Sequence, residues 1–125
     1  MNEKILLVED DPINMRLLKM ALRGKGYQLL EATDGQTAVD LIARGPLDFI
    51  VLDIQLPKVS GLDVARQVRN NPTNKNVPIL AVTAYAMKGD KNRILAAGCD
   101  AYMAKPINTH QLPIVVAQML AQRRP

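Results

Sequence analysis

The stretch KILLVEDDP, Lys4 to Pro12, runs an apolar segment directly into three carboxylates, Glu9, Asp10 and Asp11. Carboxylates ~5 Å apart at an effective dielectric of ~20 repel by roughly 3 kcal/mol per pair. Either a cation lies among them or they point apart. Further along the chain DFIVLD ends on Asp53, PILAVTA carries Thr83 near its end, and AYMAK ends on Lys105 followed by Pro106. Carboxylates beside one hydroxyl and one ammonium, with no His or Cys among them, form a hard donor set. It suits Mg²⁺, which takes one or two carboxylates plus phosphate oxygens and keeps several waters. Taken singly, a strand-end acid is an ordinary helix cap and a strand-end lysine is solvated. The chemistry lies in their convergence on one edge.

The elements that must position these residues are legible. Apolar runs of strand length recur at 4–8, 27–32, 48–53, 78–84 and 101–105. The first, third and fourth are continuous rather than alternating, the pattern of strands covered on both faces of a parallel sheet. Helical spacing separates them: Ile13, Leu17, Met20 and Ala21, then Ala38, Leu41 and Ile42, and last Leu112, Val115, Val116 and Met119. Asp11 followed by Pro12 reads as an N-cap with proline at the first helical position, so Asp11 turns away from the other acids. Asp34 precedes the second helix, and Ser60 with Asp63 forms a variant capping box for the third. Gly24, Gly26, Gly45 and Gly98 fall where helices should end. A fourth helix, about 88–97, has two possible starts within AMKGDKN. Five β-α units imply an α/β, doubly wound, five-stranded parallel sheet, with ligands bound outside the carboxyl ends of the strands.

Composition excludes several classes. Apolar residues make up 48% and charged residues 22% of 125 residues, ordinary for one globular domain. No apolar run reaches the ~20 residues of a membrane span, and none opens the chain as a signal peptide. Cys99 is the lone cysteine, so no intramolecular disulfide forms and a cytoplasmic location fits; it reads as a small buried hydrophobe. The net charge of +4 is scattered, grouped only at Lys88/Lys91/Arg93 and Arg123/Arg124, and one Phe, three Tyr and no Trp supply little base stacking. That argues against nucleic acid.

The motifs VEDD, LDIQLPKVSG (Leu52–Gly61), VTA (Val82–Ala84) and AKP (Ala104–Pro106) resemble the receiver domains of two-component response regulators over essentially the full chain, 1–125. The run AVTAYAMKGDKNRILAAGCDAYMAKPI is similar to the stand-alone, single-domain regulators of the DivK type. The resemblance implies a flavodoxin-like (βα)5 fold with strand order 2-1-3-4-5. It implies that Asp53 accepts a phosphoryl group from a histidine kinase or histidine phosphotransfer protein. Mg²⁺ would be held by Asp10, Asp53 and the backbone carbonyl of Gln55, with Glu9 placed to hold a metal-bound water. Lys105 would pair with the phosphoryl oxygens, Thr83 and Tyr102 would form the switch pair, and the Lys105–Pro106 bond would be cis. Gln55 and Tyr85, two beyond the phosphoacceptor and two beyond the switch threonine, would govern phosphoryl lifetime. The output would be a protein partner on helix 4, strand 5 and helix 5, from a monomer or a phosphorylation-dependent dimer. Such a protein is a switch rather than a turnover enzyme. Glu9 stands where many members of that family have Asp, which leaves its direct ligation of metal open.

Rival readings fail on particular residues. A haloacid dehalogenase-type phosphohydrolase needs a second Asp where this chain has Gln55. A Rossmann or P-loop nucleotide site needs glycines where it has EDDP. A flavodoxin-like FMN site would need Ser, Thr or Gly in place of those carboxylates. His110, at the start of the last helix without a four-helix scaffold, is an exposed helix-start histidine rather than a relay site. Within the same chemistry, Met1 and the short QRRP end favour a free-standing regulator over a receiver module of a hybrid histidine kinase.

Overall fold

The structure, a computed structural model, describes residues 2–84 and 88–123, apart from the side chains of residues 88 and 89. Strands and helices alternate: β1 (Lys4–Val8), α1 (Pro12–Leu22), β2 (Gln28–Ala32), α2 (Gly35–Ala43), β3 (Phe49–Asp53), α3 (Gly61–Asn70), β4 (Ile79–Thr83), α4 (Lys88–Ala96), β5 (Ala101–Ala104) and α5 (Gln111–Gln122). The strands form one parallel sheet in the order β2-β1-β3-β4-β5. The doubly wound α/β reading therefore holds, strand order included. β3 and β4 are buried at every residue and β1 at all but its first, which is why their sequences show no alternation.

Two apolar layers sandwich the sheet. Leu6, Val8, Ile50, Leu52, Ile79 and Ala81 pack beneath α2, α3 and α4, whereas Ile5, Leu7, Phe49, Val51, Leu80 and Val82 pack beneath α1 and α5. Burying each Leu, Ile or Phe contributes about 1.5–3 kcal/mol, so the three central strands form the rigid platform of the molecule. Cys99 belongs to the first layer, where burial pushes its thiol up to about 11, the state of an inert small hydrophobe.

The caps act as the sequence indicates. Asp11 Oδ2 accepts from Asn14 N at 3.2 Å, Asp34 Oδ1 from Thr37 N at 2.7 Å, and Ser60 Oγ from Asp63 N at 3.3 Å. Asp63 closes its box on the Ser60 hydroxyl, also at 3.3 Å. His110 takes the N-cap position of α5 and is exposed, but its side chain caps nothing. Asn108 does that work: its Oδ1 accepts from the amides of His110 and Gln111 at 3.0 and 2.9 Å.

One face is misassigned by spacing alone. Ile13, Leu17, Met20 and Ala21 fit a helical stripe, yet α1 buries Met15, Leu18, Ala21 and Leu22 and leaves Ile13 70% and Met20 54% exposed. Apolar residues crowd α1 on several sides, so periodicity admits more than one stripe, and the sheet selects the one it covers.

The ends of the strands away from the carboxylates are tied by two polar hubs. Arg69 donates to the carbonyls of Gly98, Lys75 and Val77 and to Asp100 Oδ2, at 2.8–2.9 Å. Gly98 has φ +114°, and a Cβ there would lie 2.7 Å from Arg69 Cγ, so a side chain would be strained and would push on the hub. Asn74, buried, donates to the carbonyls of Ile42 and Gly45 and accepts from Leu47 N, at 2.8–2.9 Å. Asn74→Ala orphans three buried or half-buried backbone groups. Urea unfolding should show a loss of about 2–3 kcal/mol.

Candidate functional site

Register explains why distant residues meet. Val8 pairs with Leu52, Asp53 with Val82, and Thr83 with Ala104. Glu9 therefore emerges beside Asp53, Thr83 one step beyond it, and Lys105 directly after β5. The ladder continues past the strands, with Ile54 N donating to Val82 O at 3.1 Å and Lys105 N to Thr83 O at 2.8 Å. Parallel strands running in step deliver all these side chains to one edge at nearly one height.

There the carboxylate oxygens of Glu9, Asp10 and Asp53 come within 4.8 Å of one another. Glu9 and Asp53 are almost wholly buried, at 1% and 2% exposure, while Asp10 is exposed. Lys105 Nζ lies 3.0 Å from Glu9 Oε1 and 3.3 Å from Asp53 Oδ2. The remaining carboxylate oxygens take backbone donors: Asp11 N reaches Glu9 Oε2 and Gln55 N reaches Asp53 Oδ1, each at 3.1 Å. Asp11 itself faces away as a cap. Of the three acids at the tip of β1, Asp11 thus points away, Asp10 faces solvent, and Glu9 shares Lys105 with Asp53 of β3.

With all groups ionised, three carboxylates and one ammonium leave two negative charges in a largely buried site. Burial pushes Glu9 up to about 7, against the pull of the Asp11 amide and Lys105, and pushes Asp53 up as well. Burial alone would lower Lys105, but its bond to Glu9 and the charge of Asp53 outweigh it and hold the ammonium above its usual range. The donor set is all oxygen, the site lacks two positive charges, and an exposed carboxylate opens it to solvent. A divalent hard cation fits it.

Thr83, 1% exposed, closes β4 beside this cluster. Gln55 bridges the two strand ends: its Nε2 donates to Thr83 Oγ1 at 2.8 Å, and its Oε1 accepts from Ala84 N at 3.1 Å. Tyr102, half-buried in β5, packs against the layer beneath α2, α3 and α4. The Lys105–Pro106 bond is cis. Tyr85 lies outside the described residues.

Gly61 escapes a reading of side-chain chemistry. A Cβ there would overlap the Asp53 carbonyl oxygen and lie 2.7 Å from Ile54 Cα. Its amide donates to Ile54 O at 3.1 Å, so the start of α3 seats directly on the backbone that carries Asp53. The signal was present in Ser60-Gly61, where Ser60 alone draws notice as the cap.

The family model for the response regulator receiver domain matches residues 5–117. The chain belongs to that family. It is 41% identical over 108 residues to the polar-differentiation response regulator DivK of Brucella ovis, covering 86% of this chain and 88% of that one. The solved receiver domain of a sensor histidine kinase from Pseudomonas aeruginosa, with a magnesium ion coordinated in its active site cleft, is 34% identical. It superposes with a TM-score of 0.89 over 98% of this chain and 100% of that one. The receiver domain of a signal transduction histidine kinase from Syntrophus aciditrophicus matches with a TM-score of 0.86 at 28% identity, covering 98% and 95%. The phosphohydrolase and FMN readings give way to this assignment. Among the described residues no helix is long and apolar enough to cross a membrane.

Two outcomes follow from the geometry. The folded-state value of Glu9 lies above its unfolded one, so the folded receiver binds more protons and loses stability as pH rises from about 4.5 to about 7. In divalent-free buffer, urea unfolding should record a fall of up to about 3 kcal/mol over that window, and Glu9→Gln should flatten it. Gly61→Ala should lower stability by about 1–3 kcal/mol in the same assay and shift the Asp53 amide resonance.

Proposed function

We propose that this receiver accepts a phosphoryl group on Asp53 from a phosphohistidine donor and passes the signal on through a protein contact. The observation that carries the reading is the setting of Asp53: a buried carboxylate at the tip of a central strand, between an ammonium, a backbone amide and two further carboxylates. Phosphoryl transfer demands positioning and charge neutralisation more than covalent help. The P–N bond of the donor imidazole breaks, its electron pair stays on nitrogen, and a carboxylate oxygen of Asp53 forms the new P–O bond.

Each group has a part in that step. β3 and the seat of α3 at Gly61 fix the direction of Asp53. Lys105, already 3.3 Å from Asp53 Oδ2, moves its charge onto the incoming phosphoryl oxygens. Asp10, Asp53 and the Gln55 carbonyl would hold Mg²⁺, with Glu9 beside them. Bound there, the ion supplies the positive charge that offsets the carboxylates and the transferred group. Thr83 turns its hydroxyl toward the new dianion, and Tyr102 moves into the space behind it, a two-state packing change driven by a local charge.

That change alters α4, β5 and α5, the surface assigned to the output partner. Lys91 and Arg93 are exposed there, Arg93 within 3.4 Å of Asp90, so a basic rim favours an acidic partner and salt-sensitive binding. Gln55 and Tyr85 would set the phosphoryl lifetime, and phosphorylation would control any dimer. A receiver module of a hybrid histidine kinase would perform the same step at Asp53.

The decisive experiment is incubation with acetyl phosphate and Mg²⁺. One acid-labile, hydroxylamine-sensitive phosphoryl group should appear, should be absent in Asp53→Asn, and should vanish on chelation. Equal labelling of Asp53→Asn would overturn the reading. Mg²⁺ alone should raise the urea midpoint more at pH 8 than at pH 5, because more of the carboxylate charge is present at the higher pH.

A further inference from the structure

We infer that the Gln55 side chain is a latch that, before phosphorylation, occupies the Ala84 amide just past β4 and holds the Thr83 hydroxyl oxygen, so the phosphoryl group must displace a carboxamide to switch the protein. The inference rests on Asp53 being the acceptor. Gln55 is joined to both sides of the site: its amide to Asp53 Oδ1 at 3.1 Å, its Nε2 to Thr83 Oγ1 at 2.8 Å, and its Oε1 to Ala84 N at 3.1 Å. The Thr83 hydroxyl and the Ala84 amide are the polar groups that β4 presents next to Asp53. The strand ladder ends there, since the Thr83 carbonyl is already taken by Lys105 N.

A phosphoryl group on Asp53 is acceptor-only, so it must recruit donors from this edge. The Ala84 amide would have to leave Gln55 Oε1, and Thr83 Oγ1, which accepts from Gln55 Nε2, would have to shift to bring its own proton to the phosphoryl group. The carboxamide therefore stands in for the phosphoryl group at Ala84 and fixes the Thr83 oxygen in the position of the unphosphorylated state. Ala84 is an exposed residue whose amide donates to Gln55 Oε1, so loss of that bond should open the amide to exchange. The competition is an equilibrium effect, separate from any influence of Gln55 on hydrolysis.

Gln55→Met retains length and volume but neither donates nor accepts strongly. The first measurement is amide hydrogen exchange of the unphosphorylated protein. Ala84 should be protected in wild type and exchange at least tenfold faster in Gln55→Met, while β3 and β4 amides stay unchanged as a control on folding. The second is titration with beryllium fluoride and Mg²⁺, a phosphoryl mimic that does not hydrolyse. Half-saturation should fall three- to tenfold in Gln55→Met, and part of that gain should survive in a Thr83→Ala background through the Ala84 amide. Equal Ala84 exchange in the two proteins, or half-saturation unchanged within twofold while wild type binds the mimic, would overturn the latch. Failure of wild type to bind the mimic at all would instead strike the assignment of Asp53.

Discussion

The constraint on which this receiver depends is the burial of two carboxylates and one ammonium at the carboxyl edge of a parallel sheet. Taking charge out of water is costly, and mutual attraction offsets that only with close, hydrogen-bonded geometry. Glu9, Asp53 and Lys105 meet the condition in part. Each acid has a backbone donor and a share of one lysine, yet the site keeps excess negative charge and Glu9 stays well above its ordinary range. A site left underneutralised has affinity for a cation.

The rest of the fold serves that edge. Central strands buried on both faces hold the acids still, and equal register brings Thr83 and Lys105 level with them. Gly61 lets α3 sit against the Asp53 backbone without a side chain between. At the far ends of the strands, Arg69 and Asn74 satisfy the loop carbonyls of Val77 and Gly45 with side-chain donors, so rigidity there does not rely on loop packing alone. At the end of β4 one glutamine supplies two hydrogen bonds, to the Thr83 hydroxyl and to the Ala84 amide.

Much of this was legible beforehand. Continuous apolar runs distinguished covered strands from edges, and Asp11-Pro12, Asp34 and Ser60 marked helix starts, because caps and burial are local or short-range effects. The hydrophobic face of α1 was not legible, since Ile13 and Met20 are as apolar as the buried Met15 and Leu18 and only contact with the sheet ranks them. Nor was the cap of α5: His110 stands at the N-cap position, but the first amides are taken by the side chain of Asn108, two residues earlier.

At the site the division is similar. The sequence by itself determined which residues carry charge and that each follows a strand, because residue type and strand length are written in order along the chain. Tertiary structure alone decided which oxygen meets which donor: Lys105 between Glu9 and Asp53, the Gly61 seat, and the Gln55 carboxamide on Thr83 and Ala84. Those contacts join residues 28 to 96 positions apart or depend on ångström clearances, and such distances are set by strand register and twist rather than by any neighbour in the sequence.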